Sequence, residues 1–132
     1  MKKMLRKMVV EKKDYVYSIN DNYLGNETSI LTVRIYLKER KQTPLVIVFK
    51  TKDDYFVGNV LHSGIELHNT MTNTIEHINI NEPKMIKKLI VHGLQKGWTG
   101  YNQMEIQDGV SYLSELGYDT NLFYFDKNGS TP

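Results

Sequence analysis

The chain contains no cysteine, one tryptophan and only three prolines among 132 residues. Without cysteine there is no disulfide, no thiolate zinc site and no thiol nucleophile. A reducing cytoplasm suits such a composition, and we expect that location. Long apolar runs are also lacking: none approaches the roughly 20 residues that a membrane span needs. The start, MKKMLRKMVVEKK, is basic, but charge interrupts each apolar run well short of a signal-peptide core, so no leader function is expected of it. Glycine patterns that cradle phosphates, G-x-G-x-x-G and G-x-x-x-x-G-K-[ST], are absent. So is the G-x-S-x-G nucleophile elbow. His62-Ser63-Gly64 sets a serine beside a histidine, but neighbours on a strand point to opposite faces.

What remains is an ordinary globular balance, 40% hydrophobic and 24% charged, long enough to bury a core. A single α+β domain over 1–132 is expected, with 1–12 a basic amphipathic segment and 127–132 a loose tail. Charge is unevenly spread. Residues 1–14 hold six Lys/Arg against two Asp/Glu, residues 15–98 ten against eight, and residues 99–132 one against five, giving +4, +2 and −4. Such asymmetry marks either a partner surface or two ends of opposite sign that lie together or face water separately.

Met1, Met4, Leu5, Met8 and Val9 follow helical spacing, although this stretch could also run straight into a strand. Tyr15, Tyr17 and Ile19 alternate as a strand should, with Asn20-Asp21-Asn22 as a break and Gly25-Asn26 as a turn. Leu31, Val33, Ile35 and Leu37 share one face, and Thr32, Arg34, Tyr36 and Lys38 the other, the alternation of a sheet with one wet side. Glu39 to Pro44 reads as a polar loop. Leu45 to Phe49 is apolar on both faces and predicts a central strand. Lys52-Asp53-Asp54 predicts a turn before a strand from Tyr55 to Leu61, weakened by Gly58. In the segment 65–80, a loop at Met71–Thr74 would set Ile65 opposite Ile80, Leu67 opposite Ile78 and His68 opposite His77. The sum is an antiparallel meander of about five to six strands.

One main helix is expected from Glu82 to Lys96. Asn81 is placed to cap it, Pro83 fits its first turn, and Ile80 can pack on Met85. Met85, Ile86, Leu89, Ile90 and Leu94 form its apolar stripe, and Lys84, Lys87, Lys88, Gln95 and Lys96 its polar side. Gly97 suits a left-handed terminator, with Trp98 folding back on the last turn. Gly93 is costly in a helix and points to a close approach by a strand or by the Trp98 ring. Asp108 should cap a shorter helix carrying Val110, Leu113 and Leu116 and stopped by Gly117, before a last strand or an extended segment packed on the core at Leu122–Phe125.

The pattern Pro83, Ile86, Leu89, Ile90, Gly93, Leu94, Gly97, Trp98 resembles a helix of small bacterial proteins, some of them similar to immunity proteins that neutralise toxins. Many of those have a proline soon after the tryptophan, where this chain has Thr99-Gly100. The resemblance implies a non-enzymatic protein with a toxin as partner. It transfers no contact residue, because toxin-binding positions vary in such families.

On this reading no catalytic residues, cofactor or membrane contact are expected, and nothing in the pattern specifies an oligomeric state. The candidate partner-binding residues are Glu105, Asp108, Glu115 and Asp119 on the acidic segment, and Arg34 and Tyr36 on the wet sheet face. An acidic surface would meet a basic toxin quickly. His68, His77 and Glu66 are the residues that could meet as a zinc site if the hairpin register holds. The alternative function is nucleic-acid binding through the basic start, the Lys84–Lys88 helix face and a Tyr36, Arg34, Lys38 platform. The same side chains also suit a solvated helix face and a sheet stabilised by cross-strand pairs.

Overall fold

The structure, a computed structural model, describes residues 5–25, 28–54 and 58–123. It is an α+β architecture. Strands β1 (Arg6–Val10), β2 (Lys13–Gly25), β3 (Thr28–Leu37), β4 (Arg40–Asp54) and β5 (Gly58–Asn59) lie side by side in chain order, each antiparallel to the next. The one-turn helix α1 (Val60–Ser63) follows. Strands β6 (Ile65–Asn69) and β7 (Thr74–Ile78) form a separate hairpin. Helix α2 (Pro83–Gln95) comes next, then β8 (Gln107–Asp108), which pairs parallel with β4, helix α3 (Gly109–Glu115) and a 3-10 turn at Asn121–Phe123. The expected antiparallel meander is therefore present as the five strands β1–β5; β8 extends the sheet by a parallel pairing, and the hairpin β6–β7, expected to continue the meander, is a sheet of its own.

β3 carries the clearest signal. Leu31, Val33, Ile35 and Leu37 are buried while their neighbours are half-exposed, as the alternation predicts. β4 continues that inner face with Leu45, Ile47 and Phe49. α2 lays Met85, Ile86, Leu89 and Ile90 into the core, contributing on the order of 8 kcal/mol before entropy is subtracted. Leu94 is half-buried at the margin. Gly93 has a specific cause: a Cβ there would collide with Leu45 Cδ2, so the strand, and not the Trp98 ring, is what approaches. Gly109 likewise makes room for the Phe49 ring. Both contacts fall on inner-face residues, which puts α2 and α3 on the same side of the sheet.

Both helices end alike. Gly97 (φ 114°) follows α2 and Gly117 (φ 102°) follows α3. Trp98 N donates to Gly93 O at 3.0 Å and Gly97 N to Leu94 O at 3.2 Å; Tyr118 N donates to Leu113 O at 3.0 Å and Gly117 N to Ser114 O at 3.0 Å. This is the paired bonding of a Schellman stop. Each stop throws the next aromatic, Trp98 or Tyr118, into the core. Trp98 donates its indole N–H to Thr43 O at 3.1 Å, tying the end of α2 to β4.

Several expectations are corrected. Of the two readings of the basic start, the strand holds over the helical spacing of Leu5, Met8 and Val9: from Arg6 the chain is strand β1, and the two-residue turn Glu11-Lys12 returns it as β2. Residues 1–4 lie outside the described residues. Asn20-Asp21-Asn22 does not break β2, because each residue has a ladder partner in Thr32, Leu31 or Ile30. The loop at Glu39–Pro44 is a turn at Lys38-Glu39, with Arg40–Pro44 already in β4. Lys52-Asp53-Asp54 closes β4 instead of turning the chain. The predicted strand to Leu61 is the two-residue β5 and then α1; its start, 55–57, lies outside the described residues. Ile65 pairs with Ile78, not Ile80, and His68 with Ile75, not His77. Asn81 is not the cap of α2: Glu82 holds that position without a side-chain bond, and Asn81 donates to His62 O instead. Asn121–Phe123 is a 3-10 turn where a strand or an extended segment was expected, with Phe123 packed in the core, and residues 124–132 lie outside the described residues.

Candidate interaction surface

With both helices on the inner side, the outer face of the sheet carries no helix among the described residues. Its side chains line up across the strands in register. Lys7, Val16 and Tyr36 form one row; Ser18, Arg34 and Val46 the next. Asn20, Thr32 and Val48 follow, then Asn22, Ile30 and Lys50. The middle of this face is apolar, with Val46, Val48, Ile30 and Tyr36 half-buried by their neighbours and Val16 buried. Arg34 sits among them, and Lys7 and Lys50 stand exposed at the margins. Arg34 and Tyr36 make no side-chain hydrogen bond or ion pair with a described residue. Arginine and tyrosine in an apolar setting are the side chains that most often carry binding energy between proteins.

Three of the four acidic candidates already accept bonds within the fold. Asp108 caps α3, its Oδ1 accepting from Val110 N at 3.0 Å and Ser111 N at 3.3 Å. Asp119 Oδ1 accepts from Asn121 N at 3.1 Å. Glu115 lies 2.7 Å from His92 Nε2 and accepts from Lys96 Nζ at 3.1 Å. Those two donors, His92 foremost, hold the Glu115 carboxyl below its usual range. Glu105 is exposed, and its backbone carbonyl accepts from Gln107.

These contacts reveal a seam that sequence reasoning missed. Lys88, His92 and Lys96 recur every four residues along α2 and so form one row. Lys88 donates to Tyr118 Oη at 2.7 Å and to Glu76 Oε1 at 3.4 Å, and Tyr118 Oη donates to the same Glu76 oxygen at 2.8 Å. Burial alone would raise the Glu76 carboxyl, but the Tyr118 hydroxyl and the Lys88 ammonium outweigh it and hold the group below its usual range. His92 stacks edge-on against Tyr112, whose hydroxyl burial pushes up to about 12, with the Glu115 charge adding to the shift. The basic row thus grips β7 and the segment 112–118. Part of the charge asymmetry of the chain is spent on holding α2 to its neighbours. The i, i+4, i+8 spacing was readable; the partners it would meet were not.

Chemistry-bearing groups elsewhere stay apart. Among the described residues no three His, Cys, Asp or Glu side chains are placed to hold a metal ion. His68 bonds Asn73 Oδ1 at 3.0 Å, and His77 leans over Gly64, pairing through its backbone with Glu66. Asp21 Oδ2 and His62 Nδ1 lie 3.3 Å apart, the orientation of an acid–histidine pair. On the basic helix face Lys84 and Lys87 are exposed, while Lys88 and Lys96 are the gripping residues above. No helix among the described residues is long and apolar enough to cross a membrane. No family model, curated protein or solved structure matches the chain.

Proposed function

We propose that this is a non-enzymatic protein-binding module whose partner docks on the outer face of the sheet. The observation that carries the reading is the placement of Arg34 and Tyr36 half-buried amid apolar side chains, with no partner among the described residues. Lys7, Arg34 and Lys50 give the face a basic cast. The matching partner is a protein with an apolar patch flanked by carboxylates, since opposite charge steers encounter and orients docking. The resemblance of the Pro83–Trp98 helix to immunity proteins makes a toxin the partner to test first, and a cytoplasmic setting goes with that role. Glu105, Asp108, Glu115 and Asp119 remain as an alternative contact surface for a basic toxin, with Glu105 the residue least occupied by internal bonds.

The test is co-expression with the product of the adjacent upstream reading frame. The chain should co-purify with it and protect cells from it. Arg34→Glu and Val46→Lys should abolish co-purification while the buried Trp98 keeps its folded emission. Retained co-purification in both variants, with loss on Glu105→Lys and Asp119→Lys, would move the interface to the acidic segment. Association instead with short RNA or DNA, falling steeply as salt rises, would replace the reading with nucleic-acid binding.

A further inference from the structure

We propose that the end of the sheet where two hairpin turns meet is a seat for a carboxylate side chain of the partner. The inference rests on the outer face as docking surface and adds where an acidic residue of the partner would be held. β1 and β2 are joined by Glu11 (φ 50°) and Lys12 (φ 68°), both left-handed. A two-residue turn with both φ values positive is the type that Asn-Gly serves without strain. Glutamate and lysine are poor choices for it, and neither side chain makes a hydrogen bond or ion pair with a described residue that would offset the strain. Strain kept without a local return is a pointer to use.

The second turn, Lys38-Glu39, stands beside the first, with Lys38 N donating to Asp14 O at 2.9 Å. Between them opens a cleft of about 400 Å³ lined by Lys12, Lys13, Asp14, Lys38 and Glu39, all exposed. None of the three lysines forms an ion pair with a described residue. The cleft therefore offers ammonium groups in excess over its two carboxylates. It also continues onto the outer face, because Asp14 pairs with Val9 and the next row is Lys7, Val16 and Tyr36. A single carboxylate carried on an apolar protein surface fits this arrangement. A polyphosphate fits it worse, since Asp14 and Glu39 repel a run of closely spaced negative charges.

The experiment uses the full chain and a short N-acetylated oligoglutamate peptide, followed by backbone amide shifts at low salt. Shifts should concentrate at residues 11–14, 36 and 38–39. The variant Lys12→Gly should raise the thermal midpoint, because it relieves the left-handed position of the turn, and weaken peptide binding about fivefold, the worth of one ammonium contact near water. Lys38→Gln should weaken binding by a similar factor without touching the turn. A Lys12→Gly variant that is more stable yet binds the peptide as tightly as the parent overturns the proposal, as do shifts that map elsewhere. Tighter binding of short single-stranded DNA at the same residues overturns it in favour of nucleic acid. Val46→Lys lies outside the cleft and should leave peptide binding intact. Loss of the natural partner on Val46→Lys but not on Lys12→Gly would sink the seat while sparing the docking face.

Discussion

Replacing Gly93 by alanine sets two effects of opposite sign against each other. Alanine is the better helix former by about 1 kcal/mol, so propensity alone makes Gly93→Ala stabilising. Contact geometry argues the reverse. The new Cβ would strike Leu45 Cδ2 and lie 3.4 Å from Cδ1 and 3.5 Å from Cγ of the same side chain. Leu45 is wholly buried and its strand is held against Ile35 of β3, so it has little room to turn aside. Forcing one methyl into a packed core costs about 1–3 kcal/mol. The net expectation is a loss of about 1 kcal/mol, or roughly 3 °C for a chain of this size. Denaturant unfolding read through Trp98, the sole tryptophan and 1% exposed, measures it. Leu45→Ala should cost about 2–5 kcal/mol alone. In that background the obstruction is gone, and Gly93→Ala should become neutral or stabilising, a coupling of about 2 kcal/mol. A stabilised single variant, or two costs that simply add, would refute the packing account of this glycine.

Three further outcomes follow from the same contacts. Asp108→Ala should lower stability by about 1 kcal/mol through loss of the α3 cap, while Asp108→Asn retains most of it, as thermal midpoints will show. Glu115 has its folded pKa depressed by His92 and Lys96, so its contribution is present above the usual carboxylate pKa and lost as pH falls through the folded value. The midpoint gap between the parent and Glu115→Gln should therefore be widest near neutrality and close in acid. Tyr118→Phe removes the hydroxyl shared by Lys88 and Glu76 and should cost about 1 kcal/mol, the partial exposure of both partners limiting the loss. It should also raise the Glu76 carboxyl pKa, measurable by side-chain NMR.

Elements with one dominant physical cause were legible in the sequence. β3 was visible because inner and outer residues alternate without exception. α2 and α3 were visible because a stripe, a proline or aspartate start and a glycine stop coincide. The β6–β7 register was not, for a definite reason. A slip of two residues leaves every side chain on its own face, so the apolar pattern that excluded a one-residue slip could not choose between Ile78 and Ile80 as the partner of Ile65. Asn20-Asp21-Asn22 read as a break because local propensity favours turns, yet continuous pairing to β3 overrides it. Of the candidate site, Arg34 and Tyr36 were read on the correct face. The internal bonds of Asp108, Glu115 and Asp119 depend on which helix lies beside which, and no spacing along the chain encodes that.

The meander is built in chain order from hairpins, and its cover arrives late. Strands β1 to β4 are complete by Asp54, but the helix that shields them begins at Pro83 and the β8 pairing at Gln107. As the chain emerges from the ribosome, Leu31, Ile35, Leu45 and Phe49 can assemble into an apolar sheet before α2 is available to cover it. Such a sheet is exposed to aggregation for as long as translation takes to supply the following segment. Slowing synthesis between residues 54 and 95, or removing a chaperone that shelters that interval, should therefore lower the yield of folded protein.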